Sequence, residues 1–213
     1  MKTTLLLVRH GESLGNRDES FLGHTDLGLS ELGLRQADAL AVALRGRHID
    51  TVYSSDLCRA MQTVTPAATD HGLTVHPDCR LREIFAGEWE GRKFDDLIKE
   101  WPAERDCWKH DIGRACPPKG ERVADLYDRI AAALDDIAAR EAGRIVLIGT
   151  HATPIRATTA RLLGIGVLGM AEVSWAPNAS ITTVVYEDGV PRLETIADDA
   201  HLKDLWNEPP KKI

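Results

Sequence analysis

The sequence predicts an α/β fold built on parallel strands, because three segments share one layout. Each is a short apolar or β-branched run that stops at small or basic residues and leads toward a helix. Thr4 to Val8 runs into Arg9-His10-Gly11. Thr51 to Ser54 leads into a helix expected near Asp56, with Arg59 in its first turn. Arg144 to Ile148 ends at Gly149-Thr150-His151, and Pro154, a residue suited to a first helical turn, marks the expected start of the next helix. Strands alternating with helices in this way imply crossover connections, which parallel neighbours need. A fourth strand is expected around Leu73–Pro77, ahead of LREIFAGEWEG (81–91) and its Glu83.

The remaining elements follow from periodicity. Ser30 to Arg45 reads as an amphipathic helix with Ser30 as N-cap, Leu34, Ala37, Ala41 and Leu44 on one face, and Gly46 at its end. Val123, Leu126, Ile130, Leu134 and Ile137 mark a second long helix closing near Gly143. Ser180 to Tyr186, the turn Glu187-Asp188-Gly189 and Arg192 to Ile196 read as a terminal hairpin. The tail from Asn207 onward is expected to fray.

Ligands in α/β folds bind at the carboxyl ends of strands. Arg9, His10, Arg59, Glu83 and His151 all fall at such ends. A guanidinium beside an imidazole suits an anion, and such an imidazole can act as a nucleophile. Each of these residues taken singly is equally compatible with a surface ion pair, a cap or a solvated charge. Their recurrence at corresponding strand ends points to one site.

The strings RHGESLGN (9–16), GHTDLGLSELG (23–33), YSSDLCRAMQT (53–63), LREIFAGEWEG (81–91), THATPIR (150–156) and NASITTVVYEDG (178–189) occur in order over nearly the whole chain. With them the chain resembles the histidine phosphatase superfamily, the phosphoglycerate-mutase-like fold. The resemblance implies a three-layer α/β/α sandwich with a mostly parallel sheet. It implies one domain over 1–213, with a small cap insertion at about 94–120 over the site. It further implies that His10 is the nucleophile that becomes phosphohistidine and that Glu83 protonates the leaving oxygen. Arg9, Arg59 and His151 would surround the phosphoryl group, with Asn16, Gly23 and the Ala152 N–H also binding it.

These roles make chemical sense. Phosphoryl transfer needs positioning and charge stabilisation more than covalent help. Two guanidinium forks hold phosphoryl oxygens bidentately. His10 must be neutral on one nitrogen, and the other is expected to donate to a backbone carbonyl, which fixes the tautomer. His151 can be protonated and add positive charge. An alkoxide leaves poorly without an acid, and Glu83 can serve if burial or phosphate favours its protonated form. No cofactor and no metal are expected. Ala152 stands where the family usually has Gly, and His24 where an aromatic is common. Cys58 is read either as a small buried helix residue or as a thiol made acidic by Arg59.

The 213 residues are 43% hydrophobic and 28% charged, enough for one sizeable core. The net charge of −7 argues against a nucleic-acid partner, which would want a basic face. No run approaches membrane length and no leader is evident, so neither membrane association nor export is expected. Cys58, Cys79, Cys107 and Cys116 lack metal or CxxC spacing and read as reduced thiols of a cytoplasmic protein. The expected partner is a small phosphate ester, with a homodimer left open.

Three functional readings remain: a phosphomonoester hydrolase, a phosphoglycerate mutase, and a silent phosphate-binding protein. The presence of all five core residues disfavours the last. Against the mutase, Ala86 and Phe94 stand where mutases of this family carry tyrosine and lysine, and Arg114 lacks an adjacent arginine. Residues 94–120 hold five Lys/Arg against six Asp/Glu, too few cations to retain a bisphosphorylated intermediate. The phosphatase is therefore the favoured reading. Trp101 and Trp108 in this stretch either line a substrate pocket or pack the loop onto the body.

Overall fold

The computed structural model describes residues 1–207. A six-stranded sheet forms the centre, in the order β4-β3-β6-β1-β7-β8. Its strands are β1 (Lys2–Arg9), β3 (Thr51–Ser54), β4 (Val75–Pro77), β6 (Ile145–Thr150), β7 (Ile181–Glu187) and β8 (Val190–Asp198). The first four are mutually parallel, and β7 and β8 close one side as an antiparallel hairpin. β1 and β6 lie side by side in register, pairing Arg9 with Thr150, so His10 and His151 emerge together at the carboxyl edge.

The sheet buries both faces. Leu6, Val8, Val52 and Leu147 pack on one side with α2 (Glu31–Leu44) and α3 (Cys58–Asp70). Leu5, Leu7, Val146 and Ile148 pack on the other with α6 (Val123–Arg140) and α7 (Ala152–Leu162). This gives the expected three layers, and it explains why β1 reads as a continuous apolar run. Between β4 and α6 lie a two-residue strand β5 (Arg92–Lys93), α4 (Phe94–Glu100) and α5 (Pro102–His110). β5 pairs with β2 (Ser20–Phe21), which follows the short helix α1 (Leu14–Arg17). Phe94, Leu97, Trp108, Ile112 and Ala115 join the same apolar cluster as the sheet.

Two helices start within two residues of their expected places, and the inward face of α2 differs from the expected one. α7 starts at Ala152, two residues before Pro154, with His151 at the N-cap; Pro154 sits in the first turn, where its missing N–H would be unpaired in any case. α3 starts at Cys58 with Leu57 as N-cap. Leu34 is 47% exposed, because α2 turns Gln36 and Leu40 inward in its place. Residues 208–213 of the expected frayed tail lie outside the described residues. Asn207 is tied down: it donates to Glu12 Oε2 (3.0 Å) and Asn178 Oδ1 (3.4 Å) and accepts from Gln36 Nε2 (3.0 Å).

Candidate active site

The end of β1 delivers Arg9 and His10 into a cleft of about 480 Å³. Of the residues expected at the site, Arg9, His10, Asn16, Gly23, Arg59, Glu83 and Ala152 line it. His10 Nδ1 donates to the Gly11 carbonyl at 2.7 Å, so Nε2 carries the lone pair. Burial and the Arg59 and Arg9 guanidiniums hold its pKa well below the usual imidazole value. His10 is therefore neutral at pH 7, the state a nucleophile needs. Gly11 itself sits so close to Gly33 that an added Cβ would meet the Gly33 carbonyl at 2.7 Å.

Two buried guanidiniums flank the imidazole. Arg9 donates through Nη1 to the Ala176 carbonyl at 2.6 Å, and burial lowers its pKa to about 10, which leaves it charged at neutral pH. Arg59 donates to the Gly23 and Thr25 carbonyls at 2.7 and 3.0 Å. Burial lowers its pKa too, opposed by the Glu83, Asp26 and Glu90 carboxylates. His151 is fully buried behind the cleft wall, its ring 5.2 Å from His10, with Nε2 against Ser55 Oγ at 2.8 Å. Burial, Arg59 and His10 hold its pKa well below the ordinary value, so of its two protonation states it is the neutral one here. Arg9 Nε, Arg59 Nε and His151 Nδ1 are buried without a hydrogen-bond partner. Such orphaned groups are costly unless a ligand satisfies them.

The remaining positions complete the anion-facing surface. Asn16 Oδ1 accepts from Ser13 N, Ser13 Oγ and Asn178 Nδ2, so its amide NH2 is the end left for a ligand. Ala152 opens α7, where the first-turn N–H groups and the helix dipole favour an anion. Glu83 accepts from Ile84 N (2.9 Å) and Thr153 N (3.3 Å) at the same edge. Cys58 is not acidified: burial and Asp26 raise its pKa, outweighing Arg59.

Sequence reading missed the residues that hold these groups in place. Glu90, in the GEWEG string, accepts from His24 N, Thr25 N, Thr25 Oγ1 and Ala86 N. It thereby clamps the 23–25 turn whose carbonyls receive Arg59. Gly23 lies at φ +53°, and a Cβ there would meet Glu90 Oε1 at 2.2 Å. Arg129 donates to the Arg80, Arg82 and Glu83 carbonyls, and Glu121 grips its fork at 2.9 and 2.8 Å. Asn178 Nδ2 donates to the His10 carbonyl at 2.9 Å. Glu90 and Asn178 lie inside motif strings, whereas Glu121 and Arg129 lie outside all of them and carry no sequence signal.

The sequence pattern of the histidine phosphatase superfamily (branch 1) matches residues 5–199. The chain belongs to that superfamily. This histidine phosphatase is 30% identical over 209 residues to phosphoserine phosphatase 1 of Hydrogenobacter thermophilus, covering 98% of this chain and 99% of the relative. It is 35% identical to a probable phosphoglycerate mutase of Yersinia pestis, over 92% of this chain and 93% of that one. Its fold superposes on Bacillus stearothermophilus YhfR with a TM-score of 0.90 at 28% identity, covering 94% and 99% of the two chains. A mycobacterial glucosyl-3-phosphoglycerate phosphatase gives a TM-score of 0.84 at 30% identity, over 93% of this chain and 100% of that one. Among the described residues no helix is long and apolar enough to cross a membrane.

Proposed function

We propose that this histidine phosphatase hydrolyses small phosphate monoesters through phosphorylation of His10 on Nε2. The observation that carries the reading is the geometry at His10, its Nδ1 pinned to Gly11 and its ring flanked by Arg9, Arg59 and His151, each with an unpartnered buried nitrogen. Nε2 attacks phosphorus as the ester P–O bond breaks. Glu83 hands a proton to the departing oxygen. Arg9, Arg59, the Asn16 amide and the Ala152 N–H hold the phosphoryl oxygens, His151 packs beside His10 with its Nδ1 unpartnered, and Gly23 lines the site and holds Arg59 through its carbonyl. Water then attacks phosphorus, the P–N bond breaks back to the Nε2 lone pair, and Glu83 takes the water proton. Charge is supplied by arginine, so no metal is required by this route.

Residues 94–120 are read as a cap belonging to a single domain, since their apolar side chains share the sheet's core. The four cysteines are unpaired, which suits a reducing cytoplasm. The cap also favours hydrolysis over mutase chemistry. It contributes Phe94 and Trp108 to the cleft and no cation, while Lys99, Arg114 and Lys119 pair with Asp96, Asp111 and Glu88. The test is phosphate release from a panel of monoesters in EDTA, beside interconversion of 2- and 3-phosphoglycerate primed with the bisphosphate. Phosphate release is expected to dominate. Interconversion outrunning release, or activity that requires added Mg²⁺ or Zn²⁺, contradicts the reading.

A further inference from the structure

Besides the basic and amide groups around His10 and the small polar side chains Ser13, Ser20 and Thr153, the cleft is lined by Phe21, Leu22, Phe94, Trp108 and Trp175. The chain has only five Trp, three Tyr and three Phe, and four of these line this one cleft. They form a contiguous wall. Phe21 meets Trp108 edge to face at 5.0 Å and Phe94 at 6.3 Å, and Trp108 stacks on Trp175 at 6.3 Å with the rings 19° apart. Arg156 sits 4.3 Å from the Trp175 ring centroid and donates to the Ala171 carbonyl at 3.2 Å. That cation buttresses the indole and does not line the cleft. The rings of the wall thus already pack against one another.

Charge at this end is one-sided. Among the described residues lining the cleft, Arg9 and Arg59 are the only Lys or Arg, and both flank His10. Glu83 is the one carboxylate. A second anionic group on the substrate would lose its hydration against aromatic rings without gaining a cation, and burying a charge unpaired is costly. An apolar or aromatic group would gain contact area and edge-to-face or stacked geometry.

We propose that the leaving-group end selects uncharged alcohols with an apolar or aromatic body and discriminates against esters whose alcohol carries a carboxylate. This deepens, and rests on, the phosphohistidine reading above. It sets the chain apart from what the names of its phosphoserine and glucosyl-phosphoglycerate relatives would suggest.

The test compares kcat/KM for 2-phenylethyl phosphate, ethyl phosphate and 3-phosphoglycerate. All three release a primary alcohol, so the comparison reads the pocket and not the leaving-group basicity. The phenylethyl ester is expected to exceed ethyl phosphate by about tenfold or more, with 3-phosphoglycerate at or below ethyl phosphate. In Trp175→Ala, and in Trp175→Leu should the alanine variant not fold, the phenylethyl-to-ethyl ratio is expected to fall at least threefold, roughly the share of one aromatic contact. A wild-type preference for 3-phosphoglycerate, no preference for the phenylethyl ester, or an unchanged ratio in the Trp175 variants overturns the proposal. Wild-type rates in a folded His10→Ala protein would instead overturn the underlying reading, so the two failures are separable.

Discussion

Asn207→Ala tests whether the C-terminal segment supports the site. The side chain bridges three partners: Glu12 Oε2, Asn178 Oδ1 and Gln36 Nε2. The bond to the Glu12 carboxylate is charge-assisted and contributes about 1.5 kcal/mol, since Asn207 is only half-buried. The bond from Gln36 contributes about 0.5 kcal/mol, because Gln36 Nε2 keeps the Leu205 carbonyl at 2.8 Å. The 3.4 Å contact to Asn178 adds little by itself. The sum, about 2 kcal/mol, lowers Tm by about 4–8 °C for a domain of this size. Asn178 also loses the Asn207 contact to its Oδ1, and its Nδ2 is the group that meets Asn16 Oδ1 and the His10 carbonyl. Loosening Asn16 is expected to lower kcat/KM about three- to tenfold, the equivalent of one weakened hydrogen bond. Thermal melts and kcat/KM are measured for Asn207→Ala, Asn16→Ala and the double variant. If Asn207 acts through Asn16, its kinetic penalty shrinks in the Asn16→Ala background. An unchanged Tm, or an equal kinetic loss in both backgrounds, refutes the reasoning.

Two further outcomes follow from the site. Glu83→Gln should slow phosphoenzyme formation severely with an alkyl phosphate and only mildly with nitrophenyl phosphate, because a nitrophenolate leaves without a proton; equal losses in pre-steady-state bursts would move the acid elsewhere. The depressed His10 and His151 pKa values carry a definite sign. Between their folded values and the unfolded value of about 6.5 the unfolded chain binds more protons, so stability is full above about pH 6.5 and declines as pH falls, by at most about 1.4 kcal/mol per pH unit per histidine. Nitrogen NMR should find both imidazoles neutral at pH 6, and a midpoint at or above 6.5 for either would contradict their burial.

The legible parts of the sequence were those with local causes. The apolar run of β1, the Ser30 cap of α2 and the period of α6 each act within one element and appear where the pattern places them, and the hairpin turn falls at Asp188-Gly189, with Glu187 still in β7. Arg9, His10, Arg59, Glu83 and His151 are legible because strand ends gather ligand groups, and the family resemblance adds Asn16, Gly23 and Ala152. The missed residues act across long sequence separations. Glu90 reaches back to His24 and Thr25, Arg129 to Glu83, and Asn207 to Glu12. No periodicity encodes such pairings. The protonation state of His151 is set for a related reason outside the local sequence, since its burial against Ser55 and its nearness to Arg59 are tertiary facts.

The most direct test of the central claim is rapid quenching of the enzyme during turnover, followed by mapping of the phosphorylated residue and of the nitrogen that carries it. Because Nδ1 is committed to the Gly11 carbonyl, the phosphoryl group should be found on His10 Nε2, stable in base and labile in acid. Phosphate on Nδ1 or on any other residue, or sustained turnover by a folded His10→Ala protein, would contradict it.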